Sequence, residues 1–401
     1  MKEENAPRGE IQLRLFGRTD VGQIREHNED NFLIANLTRR SRSLMETDRD
    51  QNVGERGTVL GVCDGMGGAA AGEVASQLAV DIIYEKLVQG DPPRDHNDLA
   101  RSLVRAVEEA GIRIFSEARA DRTRRGMGTT ATIAALVDSR LFIAQVGDSR
   151  AYVLRQGRLV QVSRDQSLVN QLIEAGQLTE EEAETFEHNN IILQALGTAE
   201  TVQVDLTFVD LRRGDVLLLC SDGLSGMIRA DEIREVLATV PEPLDACREL
   251  TDRANRAGGH DNITVIVSRF EGVGLPDATE GDDLAYRKYA LPELPAQENT
   301  IRLAVPVQSD VSTQPPAEET NTRRLRVGHT MVGLAQAVPS QALLEAQPAG
   351  GGSRLSNQPA SYGPTDEPVE LPTTGFPPSL VGFLVLGAMV LAAVAGFLLL
   401  R

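Results

Sequence analysis

The chain has 401 residues and carries 40 basic against 58 acidic side chains, a formal net charge of −18. That balance argues against a nucleic-acid partner, because phosphate contacts need a basic face. Hydrophobic residues make up 41%, and the three cysteines, Cys63, Cys220 and Cys247, have no paired spacing; this suits a globular core in a reducing compartment rather than a disulfide framework or a zinc site.

Residues 1–12 read as a polar N-terminal tail with no apolar stretch of the secretory kind. Residues 13–37 alternate as two strands, with Leu13 and Leu15 in the first and Phe32, Ile34 and Leu37 in the second. Between them lies the polar cluster Arg25-Glu-His-Asn-Glu29-Asp30, and 38–56 reads as a surface loop. Thr58 to Cys63 is a short apolar run, the pattern of a strand buried on both faces, and it ends at Asp64. Gly65-Met-Gly67-Gly-Ala-Ala70 follows, and then a helical pattern over Glu73–Leu87. A carboxylate at a strand mouth beside glycines suits a hard cation. The same glycines also fit a dinucleotide turn, although Asp64 would repel a pyrophosphate and no strand-ending acid follows at about 20 residues.

A second helix is predicted over Asp98–Arg119, and Arg122–Gly128 is a basic, glycine-rich loop. Strands are expected at Thr129–Val137, Leu141–Gly147, Ala151–Leu154 and Leu159–Val162, with turns at Asp138-Ser139 and Gln156-Gly157. A helical segment opens at Ser163, and the acidic stretch Gly176–Asn190 reads as a flap. Asp215–Cys220 and Ile263–Val267 are two more buried strands, separated by helical patterns at Ala230–Ala238 and Leu244–Ala257. Antiparallel strands joined by short turns, with long helices in pairs, predict an α+β fold: a four-layer αββα sandwich over 13–270.

After Phe270 the texture changes. Residues 271–370 hold 14 acidic and 7 basic side chains, many prolines and Pro348-Ala-Gly-Gly-Gly-Ser353, the composition of a disordered acidic linker, taken as 271–375. Leu380–Leu400 is a run of 21 uncharged residues closed by Arg401, about 31 Å long as a helix and able to cross a bilayer. Residues 376–400 are therefore expected to form a transmembrane helix.

Five acidic positions share one context. Glu29-Asp30, Asp64, Asp148 in Val-Gly-Asp-Ser-Arg, and Asp222 in Leu-Cys-Ser-Asp-Gly adjoin apolar strands, and Asp261 in Gly-Gly-His-Asp-Asn-Ile-Thr opens one. A single such acid is usually a turn residue or a cap. Several converging carboxylates need cations, and an all-oxygen set selects magnesium or manganese over zinc or copper. His27 and His260 flank the acids without the paired spacing of zinc ligands, and Cys63 and Cys220 read as core residues rather than nucleophiles.

The chain resembles the metal-dependent protein phosphatases, the protein phosphatase 2C family. The residues that carry the likeness are Arg25-Glu-His-Asn-Glu-Asp30, Val62-Cys-Asp-Gly-Met-Gly-Gly68, Gly126-Met-Gly-Thr-Thr-Ala131, Val146-Gly-Asp-Ser-Arg150, Ser221-Asp-Gly223 and Gly259-His-Asp-Asn-Ile-Thr264, in the family's order over about 13–270. The resemblance implies a β-sandwich flanked by helix pairs, with two Mn2+ or Mg2+ ions in a cleft at one edge. Asp64 would bridge both ions, Asp222 and Asp261 would complete one, and the Gly65 carbonyl would serve the other, with Glu29 and Asp30 holding its waters. Asp148 with Asp222 matches a third-ion position of bacterial members, and Arg25 would clamp the phosphate. The implied activity is hydrolysis of phosphoserine and phosphothreonine in proteins by metal-activated water, opposing membrane-associated Ser/Thr kinases. The alternatives are a catalytically weak phosphoprotein-binding regulator and a phosphatase of small phosphate esters. Two departures stand out. Met66 replaces the histidine of many eukaryotic members, as is usual in bacterial ones, and cannot donate a proton. Around the flap, Gln166 stands where the family usually has histidine, and His188-Asn-Asn190 lacks its usual proline. Leu371-Pro-Thr-Thr-Gly375 copies a sortase sorting signal, which would place the domain outside; with no export signal read, a cell-membrane anchor with a cytoplasmic catalytic domain is expected.

Overall fold

The computed structural model describes residues 11–42, 49–67, 71–183, 186, 190–279 and 281–292. The chain opens with β1 (Gln12–Asp20), β2 (Asn31–Asn36), β3 (Ser41–Arg42), β4 (Asp50–Asn52), β5 (Thr58–Cys63) and β6 (Gly65–Met66), then α1 (Ala71–Gln89) and α2 (His96–Ala120). A strand run follows: β7 (Gly128–Thr129), β8 (Ala131–Val137), β9 (Arg140–Val146), β10 (Arg150–Arg155) and β11 (Arg158–Gln161). The short helices α3 (Leu168–Glu174) and α4 (Glu180–Ala183) precede β12 (Asp205–Asp210) and β13 (Val216–Cys220). Helices α5 (Asp222–Ser225), α6 (Ala230–Thr239) and α7 (Pro243–Arg256) lead into β14 (Ile263–Glu271). The span at 376–400, the Leu371–Gly375 motif and the linker beyond 292 lie outside the described residues; among those described, no helix is long and apolar enough to cross a membrane.

Two six-stranded antiparallel sheets carry the fold, in the orders β11-β10-β13-β14-β1-β4 and β12-β9-β8-β5-β2-β3. Their inner faces meet over Leu15, Leu60, Ile143, Leu217 and Ile266. On the outer face of the second sheet, α1 and α2 cover Val59, Ile133 and Phe142. The first sheet's outer face packs Leu218 and Val267 against Ile233 and Leu250 of α6 and α7. This is the expected αββα sandwich. Strand β13 shows why its sequence does not alternate: Leu217 and Leu219 face the other sheet, Val216 and Leu218 face the helices, and all four are buried. A strand covered on both faces reads as a continuous apolar run.

Local chemistry sets the boundaries. Asp95 caps α2 by accepting from the Asp98 N–H at 2.8 Å. Asp138, Gln156 and Gly157 take positive φ in the two-residue turns that close β8–β9 and β10–β11.

Three features depart from the sequence reading. Strand β12 falls in a stretch with no assigned element, though Asp205–Asp210 alternates around Leu206 and Phe208. The 38–56 segment, read as a loop, supplies the edge strands β3 and β4. The domain also does not stop at 270. Leu275 and Leu284 are buried in the inter-sheet core, and the Phe208 N–H of β12 donates to the Arg287 carbonyl while the Tyr289 N–H donates to the Leu206 carbonyl. Residues 271–292 had no periodic pattern because they pack as an irregular strap through single side chains.

Candidate active site

The strand registers bring the acids together. Asn31 pairs Cys63, so Asp30 and Asp64 stand side by side at one end of the second sheet. Ala131 pairs Val146, which puts Thr130 and the Gly147-Asp148 turn at the same end. In the first sheet Cys220 pairs both Arg150 and Val265, so Asp148, Asp222 and Asp261 share that end too. Positions 30 to 261 are far apart in sequence, yet antiparallel pairing places every one of these strand ends at one mouth of the sandwich.

Backbone positions around the mouth are held closely. The Asp64 N–H donates to Thr130 Oγ1 at 2.9 Å, and the Asp64 carbonyl accepts from the Thr130 N–H and Thr129 Oγ1, both at 2.8 Å. Thr130 Oγ1 lies 2.8 Å from Ser149 Oγ, tying Asp64 to the Asp148 turn. Gly65 pairs Thr129 in the small β6–β7 hairpin. A Cβ at Gly65 would fall 2.3 Å from the carbonyl oxygens of both Glu29 and Gly72, so only glycine lets the strand end, the Glu29 loop and the start of α1 meet. Asp222 is the first residue of α5, where a Cβ on Gly223 would meet the Asn262 carbonyl at 2.1 Å.

The carboxyls feel one another. Asp30 is buried, and among the described residues neither of its oxygens has a hydrogen-bond partner; one oxygen each of Asp148 and Asp222 is likewise buried and unpaired. Burial, then the charges of Asp222 and Asp261, push Asp30 up to about 8; the hydroxyls of Thr264 and Ser221 pull the other way without closing a hydrogen bond on it. Asp148 is pushed up to about 7 by burial, with Asp222 and Asp165 adding to it. Asp64 is raised well above the ordinary range by burial and by Asp30, Asp222 and Asp148. Asp222 is raised by burial and Asp261. Glu29 rises for the same first reason, with Arg25 opposing. Among the described residues no three Asp, Glu, His or Cys side chains close on one ion-sized point; the carboxyls face each other across the mouth. The donor chemistry nevertheless fits a hard cation: the acids are oxygen donors, and four of their carboxylate oxygens are buried with no proton donor among the described residues.

Arg25 sits at the rim and donates from Nη2 to Asp261 Oδ2 at 2.7 Å, both side chains being part-exposed. It thus lies against an acid of the cluster while about half its side chain stays in solvent. His27 and His260 are exposed. All three cysteines are fully buried; burial pushes the Cys63 thiol up, with Asp30 and Asp64 adding to it, and the Cys220 thiol up to about 12. No activated thiol is available for nucleophilic attack.

Several positioning residues carried no role in the sequence reading. Asn262 accepts the Glu29 N–H at Oδ1 and donates from Nδ2 to the carbonyls of Val21 and His27, each close to 2.9 Å, so it staples the 21–29 loop beside Asp261. Ser76 Oγ donates to the Glu29 carbonyl at 2.6 Å. Gln166 Oε1 accepts the Gly147 N–H at 3.0 Å, just ahead of Asp148, while its carbonyl accepts from Leu193 where the chain returns from the flap. Thr130, Ser149 and Asn262 lie inside the quoted motifs, which was the only signal that pointed to them.

Comparison with known proteins places this architecture. The sequence model described as protein phosphatase 2C matches residues 39–257, and the chain belongs to that family. It is 35% identical over 250 residues to the serine/threonine phosphatase Stp of Listeria monocytogenes, covering 62% of this chain and 93% of that one. It is 35% identical over 317 residues to the serine/threonine protein phosphatase PstP of Mycobacterium tuberculosis, covering 76% of this chain and 56% of that one. The crystal structure of a PstP catalytic domain in complex with two manganese ions superposes with a TM-score of 0.54 at 35% identity, covering 65% of this chain and 99% of that one.

Proposed function

We propose that this chain hydrolyses phosphoserine and phosphothreonine in proteins at a manganese or magnesium centre formed by the strand-end acids. The observation that carries the proposal is the set of buried, unpaired carboxylate oxygens on Asp30, Asp148 and Asp222 facing Asp64 at one mouth of the sandwich. Asp64, Asp222, Asp261 and the Gly65 carbonyl would hold two ions, with Glu29 and Asp30 holding water beside them and Asp148 with Asp222 serving a third. Divalent ions bound there supply Lewis-acid charge neutralisation and a water acidic enough to attack phosphorus.

The chain's own residues do the rest. Arg25 presents a guanidinium fork at the rim, a geometry that matches two phosphate oxygens; its bond to Asp261 holds it over the mouth. Thr130 and Ser149 keep Asp64 and the Asp148 turn in fixed register. Met66, half-buried on β6, offers no proton, and the buried cysteines offer no nucleophile, which fits transfer of the phosphoryl group directly to water. Opposition to membrane-associated Ser/Thr kinases, and anchoring through 376–400 with the catalytic domain in the cytoplasm, belong to the same proposal.

The test is phosphate release from a phosphothreonine peptide by the full chain, with manganese and with chelator. Asp64→Asn and Asp222→Asn are each expected to lower turnover at least 1,000-fold, roughly the loss that follows removal of a group acting only in the transition state. Turnover that survives either change, or persists in chelator, would overturn the assignment.

A further inference from the structure

We propose that the loop Arg122–Gly126 docks a second anionic group on the substrate, a few residues from the phosphoserine or phosphothreonine being hydrolysed; this rests on the phosphatase reading above. Five arginines fall between positions 113 and 125. Three are engaged: Arg113 with Glu117 at 3.2 Å, Arg124 with Asp121 and Glu117 at 3.5 and 3.6 Å, and Arg119 over the Phe115 ring at 5.7 Å. Arg122 and Arg125 are exposed, and among the described residues neither meets an acid.

The loop is built rather than loose. Asp121 Oδ1 accepts from the Thr123 N–H and hydroxyl at 2.9 and 2.7 Å, and the Arg125 and Met127 N–H groups close back on the carbonyls of Arg122 and Arg124. It is also fixed against the active site. Met127 is fully buried, its Cα 3.4 Å from where a Cβ on Gly67 would lie, and Gly128 pairs Met66 in the β6–β7 hairpin. Gly126 turns the chain with φ of 81° and nothing within 4 Å of its Cβ position, and Arg122 and Arg125 beside it are exposed.

Placement follows from chain geometry. Gly67 is three residues from Asp64, and Arg125 two from Met127, which adjoins Gly67, so at no more than 3.3–3.6 Å per residue the Arg125 backbone stands within roughly 23 Å of Asp64. An extended peptide covers such a separation within about seven positions, so an anion three to five positions from the phosphoresidue falls in reach. Charge gives the loop its purpose. The mouth is ringed by Glu29, Asp30, Asp64, Asp148, Asp222 and Asp261, and Arg25 is already paired. Two exposed guanidiniums, which meet no acid among the described residues, offer a second carboxylate or phosphate on the substrate bidentate partners.

The experiment compares peptides carrying one phosphothreonine with peptides carrying in addition aspartate, phosphothreonine or alanine three, four or five positions away on either side. Para-nitrophenyl phosphate, too small to reach the loop, is the control. The full-length chain should show about three- to tenfold higher kcat/KM on the best-placed second anion, through KM, and raised ionic strength should erode the gain. Arg122→Ala with Arg125→Ala should remove that preference, and the Lys/Lys pair should keep most of it, with hydrolysis of the small ester unchanged in both. The aspartate and phosphate arms decide which anion is read. A wild-type chain indifferent to the second anion, or an alanine pair that slows the small ester as much as the peptides, overturns the docking role. A chain that hydrolyses none of the substrates with manganese sinks the phosphatase reading itself.

Discussion

Asp30 concentrates the chemistry of the site in one side chain. Its ordinary value of 3.8 is raised to about 8 by burial and by neighbouring acids, so the folded chain retains a proton there that the unfolded chain has released. In chelator this contribution to stability is complete below about pH 4 and is lost as pH rises through about 8; Asp148, raised to about 7, adds a loss of the same sign just before it. A divalent cation replaces those protons. Manganese is therefore expected to raise the melting temperature more at pH 8 than at pH 6, and its binding should release protons, visible by calorimetry in buffers of different ionisation heat. An equal or larger gain at pH 6 would contradict this. Asn262 acts one step further out. Asn262→Ala removes the staple on the 21–29 loop and should weaken manganese binding by roughly 10–100-fold, the range seen when the partners of ligating groups are lost, while the far-UV spectrum stays folded. Unchanged affinity would show that the loop holds its place without it.

Among the elements, the strap after β14 is the one that the sequence pattern hid. Leu275 and Leu284 are buried, Tyr286 Oη donates to Asp205 Oδ2 at 2.7 Å, and Tyr289 Oη to Asn97 Oδ1 at 2.7 Å. Arg212 and Asp282 form a two-bond ion pair at 2.7 and 3.0 Å. Together these contacts cover the edge of β12, which would otherwise present unpaired backbone groups. A chain ended at 270 should therefore be less stable and more prone to associate than one ended at 292, and Leu284→Ala alone should cost about 2–5 kcal/mol. Denaturant unfolding of the two truncations checks this; equal midpoints would mean that the strap adds nothing to the fold.

At the scale of the whole molecule, charge and hydropathy divide the chain. The 21 apolar residues from Leu380 are long enough to span a bilayer. If they anchor the chain with its catalytic domain in the cytoplasm, protease added to intact cells should leave that domain whole and digest it only after the membrane is opened. Digestion from outside would instead favour export and the reading of Leu371–Gly375 as a sorting signal.

Much of this was legible in the sequence because its signals are local. Apolar runs, turn residues such as Asp138 and Gln156-Gly157, and helical spacing over 73–87 and 98–119 specify elements by short-range sterics and burial, and acids beside glycine at strand ends mark where chemistry belongs. Strand β12 and the strap were not legible, because one is a short edge strand and the other owes its order to scattered side chains such as Leu284 and Tyr289. Nor could sequence say that Arg25 lies against Asp261, that Asn262 staples the metal-side loop, or that Arg122 and Arg125 stand exposed on the loop that leads into the Met66 hairpin. Those facts depend on which strand ends share one mouth. Antiparallel register decides that by joining residues up to about 260 positions apart.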